Sequence, residues 1–155
     1  MRQSPELQRI QENMKPGYFS SEGFLGEDAR NLADILQQDQ AVVDMLGISH
    51  TEIAERMRSL TEKGMEGLGK PVLVDDIFEV IVEDYMGSIP CPFSDKWHSE
   101  KRNTTVKNLL TNLVITWTDL NIHMIEAHGF YEGIGSKFRV SPDEICEILM
   151  LSTKK

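Results

Sequence analysis

The sequence predicts an α+β protein with an antiparallel sheet. Before Gly64 the apolar residues recur at helical spacing. After Pro71 the pattern becomes β-branched and short-period, and from Thr118 onward capped helices return. The expected architecture is a helical N-terminal half, two antiparallel β-hairpins forming a small sheet, and C-terminal helices. All of it fits one domain over 1–155, with 1–16 as a peripheral helix, 17–70 as the helical half and 71–155 as hairpins and closing helices.

Ser4-Pro5 sets an N-cap before a proline in the first helical turn. Leu7, Ile10 and Met14 follow at helical spacing until Lys15-Pro16-Gly17 stops the run. From Tyr18 to Gly26 three aromatic residues (Tyr18, Phe19, Phe24) stand among polar neighbours, which predicts a loop packed down on the protein. Leu32, Ile35 and Leu36 mark a second helix, with Asp39 read as a stop or cap before Val42, Val43 and Leu46. Ser49-x-x-Glu52 is a capping box that opens a third helix. Ile53, Met57 and Leu60 line that helix, while Glu52–Arg56 and Arg58–Glu62 are spaced for (i, i+4) ion pairs.

Beyond the glycines at 64, 67 and 69, Ile77 to Val82 reads as a strand. Met86-Gly87-Ser88 reads as its turn, and Ile89 to Phe93 as a proline-blunted return strand at a sheet edge or end. The polar stretch Ser94 to Asn103 reads as a loop. Thr104–Val106 and Val114–Trp117 form a second hairpin around Thr111-Asn112. Thr118 or Asp119 caps a helix ended by Gly129, and Ser141-Pro142-Asp143-Glu144 launches the last helix. Met45, Met57, Met65, Met86, Met124 and Met150 are expected to fill core gaps.

The 155 residues carry 25 acidic against 16 basic side chains, a net of -9. That balance repels polyanions and anionic membrane at long range. With no apolar run of spanning length and no signal-like start, the expected location is cytoplasmic, without a membrane. Two distant cysteines give no disulfide framework.

Two constellations carry possible chemistry. Residues 39–58, with Gly47 at the turn and Ile53 six positions on, resemble the DNA-binding helix-turn-helix family. That resemblance implies nucleic-acid contacts by Ser49, His50 and Thr51. Asp39, Asp44, Glu52 and Glu55 against Arg56 and Arg58 argue the other way, because duplex binding needs cations on the phosphates. The second constellation is Cys91 with His123 and His128. Thiolate and imidazole are zinc ligands, so Cys91, His123 and His128 form a possible zinc site. As an alternative, Cys91 is a nucleophile with a histidine base and Asp119 as orienting carboxylate, which requires a depressed thiol pKa. Five residues rotate an ideal helix by about 140°, which points His123 and His128 apart unless the last turn bends them together. The structural alternative makes Cys91 a small apolar packer and the histidines ordinary helix residues.

The segments Gly17–Gly26, Leu46–Met57, Gly87–Phe93 and Trp117–Gly133 together resemble a family of small bacterial cytosolic proteins, one that brings no activity, cofactor or partner with it. The resemblance implies a single domain, and its distinctive segments contain the polar residues Cys91, Asp119, His123, His128 and Tyr131 as a ligand-binding set. His98 lies outside them. The leading expectation is a non-catalytic binding or regulatory module using a cleft between the hairpins and the 119–128 helix, with a protein or small molecule as ligand. The alternatives are the metal or thiol enzyme and the nucleic-acid reader. A homodimer is compatible with the blunted hairpins.

Overall fold

A computed structural model describes residues 3–17 and 23–151. Its elements run α1 (Pro5–Asn13), α2 (Leu32–Leu46), α3 (His50–Met65), β1 (Val72–Val74), β2 (Phe78–Pro90), β3 (His98–Asn108), β4 (Val114–Thr118), α4 (Asp119–His128) and α5 (Pro142–Leu149). The four strands form one antiparallel sheet in the order β1-β2-β3-β4. The α+β class with helices at both ends is therefore as the sequence predicts. Among the described residues no helix is long and apolar enough to cross a membrane.

Period-2 alternation decides which sheet face is covered. Phe78, Val80 and Val82 of β2, Val106 of β3, and Ile115 and Trp117 of β4 are buried together with Ile53, Met57 and Leu60 of α3 and Ile145 and Ile148 of α5. A chain of polar side chains crosses this core, each with a hydrogen-bond partner. The Trp117 indole N–H donates to Thr61 Oγ1 at 2.9 Å, and Thr61 and Thr104 share a hydroxyl bond at 2.7 Å. A second apolar cluster joins Ile10 and Met14 to Phe24, Leu32, Ile35, Cys91, Leu120, Met124 and Phe130. This smaller cluster lies beneath the candidate site.

Several local readings need correction. Met86-Gly87-Ser88 does not reverse the chain. β2 runs through it to Pro90, with a register shift between Tyr85 and Ser88 where Gly87 takes φ +101°. Glycine here supplies a bulge, not a turn. The true reversal is 91–97, and residues 98–103, expected as loop, are strand. The hairpin of β1 and β2, turning at Asp75-Asp76 with both at positive φ, is absent from the sequence reading. Two hairpins thus become a four-strand meander, and Pro90 does sit at a strand end as anticipated.

Asp39 does not stop α2, which is continuous. It is buried, and the Arg139 guanidinium grips it with two bonds of 2.9 and 3.1 Å, which removes the need for a capping role. The intrahelical ion pairs give way to partners on other elements: Arg56 pairs with Asp75 and Arg58 with Glu126. Met57 and Met124 are core residues, but Met45, Met65, Met86 and Met150 are exposed. The expected packing of the aromatic loop is met at Phe24, which is buried, while Tyr18 and Phe19 lie outside the described residues.

At Gly64 the α3 backbone comes close to the sheet. A Cβ there would lie 2.5 Å from Val80 Cγ1 and 2.7 Å from Val82 Cγ2. Gly64→Ala is expected to lower unfolding free energy by about 1–2 kcal/mol, the overpacking cost net of alanine's better helix propensity. Chemical denaturation measures this, and a variant as stable as the parent would contradict the close contact.

Candidate metal centre

The site is assembled from one loop and one helix end. Thr118 caps α4 with a complete capping box: its hydroxyl accepts from the Asn121 N–H, and the Asn121 side chain accepts from the Thr118 N–H. Gly129, left-handed at φ +64°, closes the helix so that its N–H reaches the Ile125 carbonyl. His123 and His128 project from the last turns between these two signals. Opposite them the reversal 91–97 is pinned by the Cys91 N–H donating to the Trp97 carbonyl at 2.9 Å, and by Ser94 and Lys96 at positive φ. The Asn13 side chain at the end of α1 donates to the Pro92 carbonyl and to Ser94 Oγ. The loop is thereby fixed from behind.

These two pieces meet at Asp95. Nε2 of His123 and Nε2 of His128 each donate to Asp95 Oδ2 at 2.6 Å, while Oδ1 accepts from the Trp97 N–H at 3.0 Å. Cys91 lies against the same carboxylate. One ligating atom each from Cys91, Asp95, His123 and His128 all fall within 4.8 Å of one another. The 140° separation expected on the helix is overcome because both imidazoles reach around to one oxygen from different sides. Their planes stand 85° apart, with centroids at 5.5 Å.

Two aromatic residues of the same loop fix the rings. Phe93 stacks on His128 at 4.0 Å and Trp97 on His123 at 4.5 Å, each within 5° of parallel. The order Cys91, Phe93, Asp95, Trp97 therefore alternates polar site residues with ring clamps.

The electrostatics follow from burial. Cys91 is 2% exposed, and its thiol is pushed up to about 12, chiefly by burial and further by the neighbouring Asp95 carboxylate. Burial also works against ionising Asp95. Hydrogen bonds from His128, the Trp97 amide and His123 outweigh it and hold the carboxyl well below the usual range. A thiol kept protonated is the reverse of what a nucleophile requires.

Of the residues singled out by sequence, Cys91, His123 and His128 are brought together, and Asp119 and Tyr131 are not part of their cluster. Asp119 pairs with Arg102 at 2.8 Å, and its Oδ1 is the one buried side-chain nitrogen or oxygen without a hydrogen-bond partner among the described residues. Burial raises its pKa against the pull of Arg102. Tyr131 is fully buried in the larger core. Its hydroxyl lies 2.8 Å from His50 Nδ1, and His50 Nε2 lies 2.7 Å from Gln40 Oε1. Because an amide oxygen only accepts, Nε2 carries the proton and Tyr131 donates to Nδ1.

Both His50 nitrogens are thus engaged within the chain, and burial lowers its pKa. Ser49 serves as N-cap of α3, accepting from the Glu52 N–H. Its hydroxyl donates to the Glu52 carboxylate, so the expected box is only half formed. His98 is exposed and outside the cluster. Asp95 is the residue that sequence reasoning missed. The signal available was its Cys91-x3-Asp95 spacing within one loop.

Comparison of the chain with protein-family models, with curated proteins and with solved structures finds no match.

In the metal-free protein, Asp95→Ala removes the acceptor shared by two imidazoles and one amide. Stability is expected to fall by about 1–2 kcal/mol, a value lowered for the partly exposed position. Because the folded pKa of Asp95 is depressed, its contribution is complete above the unfolded value near 4 and fades as pH falls below it. Denaturant titrations at pH 7 and pH 3 should show the variant's deficit shrink in acid. An equal deficit at both values would rule out the ionic role.

Proposed function

We propose that this chain is a non-catalytic binding module whose β2–β3 reversal is clasped to α4 by a zinc ion held by Cys91, Asp95, His123 and His128. What carries this reading is the convergence of one thiol, one carboxylate and two imidazoles within 4.8 Å. Sulfur, nitrogen and oxygen donors in that number suit tetrahedral zinc. The thiol and imidazoles disfavour calcium and magnesium, which take oxygen. Ligand atoms on a zinc tetrahedron are separated by roughly 3.3–3.6 Å. The present carboxylate–imidazole distances of 2.6 Å therefore need to open by less than an ångström on loading.

Four protein ligands leave no open position for a substrate, which is the arrangement of a structural centre. The Trp97 amide on Asp95 Oδ1 leaves Oδ2 to face the metal, an outer contact that orients a single-oxygen ligand. Zinc also supplies the cation needed to ionise a thiol that burial keeps protonated. The strands between the sheet and this clasp form a two-stranded ribbon, β2 84–90 with β3 98–102, a form that is marginal by itself. The clasp gives the ribbon a second anchor.

Elemental analysis of protein purified without an affinity tag should find about one zinc per chain, consistent with the one quartet among the described residues. That zinc should be absent from Cys91→Ala, which preserves apolar packing, and from Asp95→Asn. Because binding expels the thiol proton, affinity should rise about tenfold per pH unit near neutrality. Failure of the wild-type chain to bind zinc in competition titrations, or unchanged binding by both variants, would sink the assignment.

A further inference from the structure

A cleft of about 770 Å³ opens between the ribbon and the 132–138 segment, with Leu120 at the start of α4 between them. Its volume is that of a small-molecule site, and its lining includes none of the four metal ligands. The ribbon contributes apolar surface to it. Met86 is 95% and Tyr85 53% exposed, both beside the bulge at Gly87. Phe138 lies on the other wall. Side chains of this size left facing water together mark a contact surface.

The charges of the cleft run against those of the chain. Lys101, Arg102 and Lys137 line it against Glu100 and Glu132, whereas the whole chain carries -9. Arg102 is already committed to Asp84, Glu100 and Asp119. Lys101 and Lys137 are exposed, and neither forms an ion pair among the described residues.

Glu132 is 4% exposed, with Asn121 and Ser136 each donating to one of its carboxylate oxygens. Burial pushes its pKa up to about 7, against the pull of the Ser136 and Asn121 hydrogen bonds and of Arg139. What remains is an apolar slot with two ammonium groups outside any ion pair among the described residues, that of Lys137 lying over the Phe138 ring at 5.4 Å.

We propose that this cleft binds a small anionic amphiphile, a monocarboxylate whose apolar body lies along Tyr85, Met86 and Phe138 while its carboxylate meets Lys101 and Lys137. Apolar contact supplies the affinity and the two cations select the sign of the headgroup. The site stands apart from the zinc reading, and the test below uses the chain as purified, with no metal added.

The probe is decanoate below its micelle-forming concentration, followed by amide chemical shifts of the isotope-labelled protein, with decan-1-ol and decylamine as neutral and cationic counterparts. Decanoate should shift amides of 85–89 and 136–138. It should bind about tenfold more tightly than decylamine, and about tenfold more weakly to Lys101→Glu/Lys137→Glu. Lys101→Gln/Lys137→Gln provides a milder variant should charge reversal disturb folding, and Met86→Asp should weaken decanoate from the apolar side. The proposal is overturned by shifts centred elsewhere, by no saturable binding, by equal binding of amine and carboxylate, or by undiminished binding to the lysine variants.

Discussion

One carboxylate oxygen, Asp95 Oδ2, joins the reversal after β2 to the middle and the end of α4. Without it the two imidazoles, about 140° apart on an ideal helix, would have no common hydrogen-bond partner. Its placement depends in turn on backbone: Ser94 and Lys96 adopt positive φ on either side, and the Trp97 amide holds Oδ1. Strain of that kind persists only where surroundings over-determine it. Here the surroundings are the Asn13 side chain behind the loop and the two stacked ring pairs in front.

The two apolar clusters divide the work. The larger fixes α3 and α5 on the sheet and requires close approach at Gly64. The smaller brings α1, the start of α2 and α4 under the loop, and places Cys91 where burial suppresses thiol ionisation. A buried thiol beside a carboxylate is a poor nucleophile but an adequate zinc ligand, since the cation itself reverses the cost of ionisation. Cys146, buried in the other cluster, has no part in this chemistry.

Helix starts and stops were legible because they are local. Ser4-Pro5, Gly47 and Gly129 act within one turn of themselves, and the structure uses each as the sequence implies, while of Thr118 and Asp119 it is Thr118 that caps α4. The pairing of Thr104–Val106 with Val114–Trp117 was legible for the same reason. The ribbon was not. Gly87 is compatible with a turn or a bulge, and only the pairing of Tyr85 with Lys101 and of Ser88 with Glu100 across the sheet decides between them. Asp39 and Arg139 are a hundred residues apart, so the burial of that pair has no local signature. At the site, three of the four converging residues stood out by chemistry. Asp95 did not, because among Lys96, Glu100 and Lys101 it resembles any solvated acid until the fold sets it between two imidazoles.

The every-other-residue order of Cys91, Phe93, Asp95 and Trp97 places donor atoms and ring faces in phase along a short stretch of backbone. Changes of side chain within that stretch remove the contacts of one residue and leave the phase of the others intact. Adding or deleting a single residue is different in kind, since every position beyond the edit would trade a donor's place for a ring's. The seven-residue loop should therefore tolerate variation in composition far better than variation in length.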